Sequence, residues 1–147
     1  MPQELYFVVK GKPIAKKRPR FVRRGKFVGT YNPQETEEGR FLWDVKAQIG
    51  NRKPIEGPII IQMTFYMPRP KNHFGSGKNE GVLKKTAPRF HTSTPDLDNL
   101  EKFVFDCLNG VVWIDDALVV KATSIKAYAP VLGNESTEIT IREVSSC

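Results

Sequence analysis

"TPDLDNLEKFVFDCLNGVVWIDDALVV", residues 94–120, sets an apolar helix, an acidic pair and the start of a strand one after another. Leu97, Leu100, Val104, Leu108 and Val111 recur at three- and four-residue spacing, which predicts a helix from about residue 95. Thr94 as its cap and Pro95 at its first position fit that start. Phe103, Phe105 and Cys107 add apolar surface beyond the stripe. A helix this apolar is buried on more than one side or packs against a second subunit, so Phe103 and Phe105 are candidate subunit contacts. Residues 111–128 then read as a turn, the Asp115–Asp116 pair and a strand.

On either side the pattern is that of a mixed chain. "LYFVVKG" (5–11) is rich in β-branched and aromatic residues and predicts a strand. "FVRRGKFVGTY" (21–31) predicts a hairpin turning at Arg24-Gly25. In 32–50, Asn32 is a possible cap, Pro33 falls in the first turn, and Phe41, Leu42, Val45 and Ile49 keep helical spacing. "GPIIIQMTFYMP" (57–68) is apolar enough for a central strand, and "STEITIREV" (136–144) alternates like an antiparallel strand with one wet face. Between them, 69–94 has no periodicity and many Gly, Pro and Lys, so it predicts a long basic loop, functional or disordered or both until a ligand arrives. Trp43 and Trp113 sit in apolar contexts and are expected in the core.

The 147 residues fit one domain, 1–147, with 39% hydrophobic content and no run long enough to span a membrane. Two cysteines give neither a disulfide framework nor metal-ligand spacing, and no signal-peptide pattern opens the chain, so a reduced, cytoplasmic protein is expected. The net charge of +7 is unevenly spread. Residues 1–26 hold nine Lys or Arg against Glu4 alone, and 69–91 hold six against Glu80 alone. Such clustering points to a polyanion, with nucleic acid foremost, although a basic surface also serves solubility.

The acids lie outside both basic segments. Two carboxylates at ~4 Å repel by about 1 kcal/mol in water and ~4 kcal/mol near a partly desolvated surface. A divalent cation reverses that repulsion. On a regular helix Asp96 and Asp98 point about 200° apart, so they converge only if Asp96 precedes the first turn. Asp98 and Lys102, at i and i+4, share a face. Helix-start acids also complement the helix dipole, which alone would account for either aspartate. Calcium-loop, P-loop and dinucleotide glycine patterns are absent. Metal-assisted phosphodiester chemistry remains, with acids holding a metal and the basic segments holding phosphates.

The stretch "PDLDNLEKFVFDCLNGVVWIDDALVV", with "GKPIAKKRPRF" and "TYNP" nearer the N-terminus, resembles the RusA-type Holliday junction resolvases, in particular their phage-borne branch. The resemblance rests on D-x-D-N-L-x-K, then F-D-x-L-N-G, then W-x-D-D before a strand. It implies an α/β fold of the α+β type, a mixed β-sheet packed with two main helices. It also implies a homodimer and nicking of paired strands at a four-way junction with Mg²⁺, or Mn²⁺, as cofactor. By position, Asp96, Asp98 and Asp116 would bind the metal and Lys102 would stand near the scissile phosphate. Asp115, Asn99 and His91 would support the site. The family's basic residue just before its first Asp is absent here, where Thr94 and Pro95 stand, leaving that contact to Arg89 or Lys85.

DNA would be gripped by Lys16, Lys17, Arg18, Arg20, Arg23, Arg24 and Lys26, and by Lys71, Lys84, Lys85 and Arg89 of the loop. Two other functions compete: a non-catalytic DNA-binding module, and a nuclease for other branched DNA or RNA. His73 attracts no role.

Overall fold

The computed structural model describes residues 3–17, 20–24, 27–31 and 35–145; Arg18 and Lys26 lie outside them. Among the described residues six strands and two α-helices follow one another: β1 (Glu4–Lys10), β2 (Arg20–Arg24), β3 (Phe27–Tyr31), α1 (Glu35–Ile49), β4 (Ile59–Met67), α2 (Leu97–Leu108), β5 (Val119–Tyr128) and β6 (Ser136–Glu143). Four strands form one sheet in the order β1-β6-β4-β5, and β2 and β3 pair separately as an antiparallel hairpin. β6 runs antiparallel to both β1 and β4, whereas β4 and β5 are parallel. This is the mixed sheet with two helices that the sequence predicts.

Alternation decides which side of the sheet is covered. In β4, Ile59, Ile61, Met63, Phe65 and Met67 are buried, and the residues between them face the open side. Leu5, Phe7 and Val9 of β1 join them, with Ile139 and Ile141 of β6. The helices lie on that face: Phe41 and Val45 descend from α1, and Leu100, Phe103, Val104, Cys107 and Leu108 from α2. Burial pushes the Cys107 thiol up to about 12, so it behaves as a small apolar side chain. α2 stops where Gly110 takes a left-handed φ of +77°, a conformation that costs glycine no Cβ clash.

Three expectations change. α2 begins at Leu97 with Asp96 as its cap residue, and the cis-linked Thr94–Pro95 pair precedes the helix. Phe103 is not a subunit contact: it is 1% exposed and meets Phe41 edge-on, with 5.5 Å between ring centroids. Phe105 is half-buried, its ring 6.0 Å from that of Trp113, and it borders the surface beside β5. Trp113 is in the core, but Trp43 is 75% exposed. The helix explains this, because Trp43 lies two positions from both Phe41 and Val45 and so points about 200° away from each.

The 69–94 segment is laid against the end of the sheet. Arg69 is buried, donates from Nε to the Ala129 carbonyl at 2.7 Å and from Nη1 to the Pro88 carbonyl at 2.8 Å, and stacks over Tyr128. Phe90 bridges Ala127 in antiparallel fashion, so residues 89–91 cover the outer edge of β5 at its C-terminal end. From Val119 to Ile125 that edge has no strand beside it among the described residues.

Candidate active site

Asp96 is extended (φ −73°, ψ 147°), so its side chain precedes the helical spiral on which Asp98 sits. Its carboxylate makes no capping hydrogen bond to the helix it begins. The simplest structural use of a helix-start acid is therefore not realised here. Asp98 occupies the first turn, exposed, with the Lys102 ammonium 3.9 Å away. An exposed pair at that distance contributes under about 1 kcal/mol, so Asp98 stays available to a stronger cation.

Three contacts position this helix start. Lys126 of β5 donates from Nζ to the carbonyls of Ser93 at 2.6 Å and Pro95 at 2.7 Å. Ser124 donates to Glu101 at 2.9 Å, tying the next turn to the same strand. From the other side the Lys16 amide donates to the Asn99 carbonyl at 2.8 Å.

Asp115 and Asp116 do not lie on a strand: Asp115 precedes a single 3₁₀ turn, Asp116–Leu118, that leads into β5. Asp116 accepts a hydrogen bond from Trp113 Nε1 at 2.8 Å and borders a shallow cleft with Phe105 and residues 119–122. Phe105 lies nine positions beyond Asp96, about 13 Å along a helix at 1.5 Å rise per residue. Among the described residues no three His, Cys, Asp or Glu side chains come together as a metal-holding group. The donor chemistry of the aspartates suits a hard divalent cation.

His91 packs its ring 5.0 Å from that of Tyr128, with Nδ1 buried and unpartnered. Burial, then the nearby Lys126 charge, lowers its pKa below the usual histidine value. His73 also meets the Tyr128 ring edge-on, and its Nδ1 lies 3.3 Å from Arg69 Nη1.

The candidate phosphate contacts divide into three groups. Lys17, Lys71, Lys84, Lys85 and Arg89 are exposed. The Lys16 ammonium instead sits between Glu38 at 3.1 Å and Asp106 at 3.0 Å, bracing α1 against α2. Arg20, Arg23 and Arg24 have their backbone on the β2–β3 hairpin.

Lys126, Arg69 and Tyr128 hold the site's surroundings, and none was singled out from the sequence. A signal existed for two of them: Lys126 and Arg69 fall on the inward-facing phase of β5 and of the β4 continuation, where a charge needs a reason.

An α+β chain with exposed carboxylates at a helix start and a basic loop leading into them has the makings of a phosphodiester-cleaving protein. The comparisons agree. The family model for Endodeoxyribonuclease RusA matches residues 10–142, and the chain belongs to that family. It is also 34% identical over 142 residues to the uncharacterized protein YqaN of Bacillus subtilis (strain 168), covering 95% of this chain and 96% of that protein. No helix among the described residues is long and apolar enough to cross a membrane.

Proposed function

We propose that this chain is a divalent-metal-dependent endodeoxyribonuclease that resolves four-way DNA junctions by paired nicks, working as a two-fold dimer. The observation that carries the reading is the Asp96–Asp98 pair, exposed at a helix start with the Asp96 carboxylate unused as a cap, in a chain of an endodeoxyribonuclease family. Mg²⁺ or Mn²⁺, when bound, supplies an activated water and stabilises the leaving oxygen.

The chain's own residues have separate tasks. Asp96, Asp98 and Asp116 offer hard oxygen ligands, and Lys102 offsets charge on the attacked phosphate while steering Asp98. Asp115, Asn99 and His91 border these groups, and Lys84, Lys85 and Arg89 bind flanking phosphates.

The dimer reading rests on the outer edge of β5. Val120 is 63% exposed there and Ile125 41%, an apolar edge that natural sheets rarely leave bare. A second copy paired antiparallel on Val119–Ile125 would set its Asp116 end beside the α2 start of the first, as a third carboxylate for that site. Two-fold symmetry would then match the paired strands of a four-way junction.

The test is cleavage of a synthetic four-way junction in Mg²⁺, with linear duplex, EDTA and Asp98→Asn as controls. Symmetric nicks in the junction alone, abolished by EDTA and by the substitution, support the reading. Tight binding without cleavage in Mg²⁺ or Mn²⁺ would leave a DNA-binding module in its place.

A further inference from the structure

At the opposite edge of the sheet, a groove of about 570 Å³ runs between the end of β1 and α1. That volume lies in the range of small-molecule sites, large enough for one nucleotide. The indole of Trp43 forms one wall, exposed although a large aromatic gains from burial. Ile14 and Phe41 make the groove apolar inside. Lys10, Lys12 and Arg40 stand around it. Glu37 and Asp44 line it too, leaving an excess of one positive charge. A site for phosphates alone would carry more charge and no bare indole. An aromatic face with modest positive charge suits a base and its own phosphate.

The position of the groove supports the same occupant. Val9, Thr137, Phe65 and Lys126 form one row across β1, β6, β4 and β5, all on the helix-covered face. Val9 and Thr137 line the groove, and Lys126 holds the residue before Asp96. Three strand spacings of ~4.8 Å separate the two ends of that row by about 14 Å. A strand lying at the α2 start is thus within two or three nucleotides of Trp43.

We propose that this groove is a second DNA subsite, in which Trp43 stacks on an unpaired base where strands leave the branch, while Lys10, Lys12 and Arg40 hold its phosphate. The inference rests on the nuclease reading and adds to it a residue that senses unstacked bases.

The experiment uses the full chain in EDTA, where DNA binds without being cut. Tryptophan emission is followed on addition of oligo-dT, of a duplex of equal length and of the four-way junction, with the Trp43→Ala chain read in parallel to subtract the signal of Trp113. Oligo-dT and the junction are expected to quench Trp43, and the duplex to do so far less. Trp43→Ala should weaken oligo-dT binding about tenfold, within the range for loss of one base–aromatic stack, and Trp43→Phe should restore most of it. Salt-dependent DNA binding with unchanged emission and unchanged Trp43→Ala affinity would overturn the subsite and leave the nuclease reading standing. Equal quenching by duplex would overturn it too. Emission that shifts with protein concentration alone would make this face a protein contact instead. Failure of every DNA to bind would remove both readings.

Discussion

Lys126 Nζ stands 2.7 Å from the Pro95 carbonyl oxygen, one residue before Asp96, and 2.6 Å from that of Ser93. One ammonium group thereby ties the residues just before α2 to the edge strand, and the Ser124–Glu101 bond ties the next turn. Because the helix begins with an acid that does not cap it, this outside support decides where the carboxylates stand.

Lys126→Met is therefore expected to cost more in activity than in stability. Loss of charged hydrogen bonds removes about 1.5–3 kcal/mol of stability. Displacing a site by an ångström can cost on the order of a hundredfold in rate. Thermal unfolding and junction cleavage, measured side by side, decide this; wild-type turnover would show that the α2 start is held without Lys126.

Phe103 and Trp43 should respond oppositely to truncation. Phe103→Ala opens a cavity against Phe41 and should destabilise the fold by about 3–5 kcal/mol. Trp43→Ala should change stability by less than about 0.5 kcal/mol, as at exposed positions generally. Denaturant titration of both variants provides the comparison, and equal losses would contradict the burial described for α1.

The pH response follows from His91. Its folded pKa lies below the ordinary value of 6.5, chiefly through burial and then through Lys126. The unfolded chain thus takes up its proton first as pH falls. The contribution of His91 is full above pH 6.5 and is lost as pH drops through the folded value. His91→Gln should flatten the stability profile on the acid side of 6.5; an unaltered profile would mean that another group governs it.

Val120→Lys places a charge on the outer edge of β5, a device that blocks strand pairing. Light scattering should show monomers, and titration calorimetry should show Mg²⁺ binding lost together with the dimer. A dimer that survives the substitution would put the subunit contact elsewhere.

The sequence revealed what periodicity encodes. The apolar run of 57–68 located β4, the alternation of 136–144 located β6, and the leucine-valine stripe located α2. It misjudged Trp43 because composition marks a residue as apolar without giving its angle on the helix. Counting from Phe41 and Val45 would have given that angle. Of the site, the positions of Asp96 and Asp98 relative to the helix were legible from Pro95. The place of Asp116 beside Phe105 was not, since it depends on how the 109–118 turn folds back along α2. Lys126 escaped notice because its partners are backbone carbonyls, which no residue type announces.

The strand order carries one more consequence. Among the described residues β1 pairs into the sheet through β6 alone, with Lys10 beside Ser136. During synthesis the N-terminal strand must wait for a partner made more than a hundred residues later, so the Trp43 groove, lined by both Val9 and Thr137, comes into being only at that closing step. A nascent chain halted before β6 would have α2 and its acids without that groove, and an internal edge of β4 still open to solvent. The molecule is assembled like a clasp, and its two proposed DNA contacts become parts of one surface when the clasp shuts.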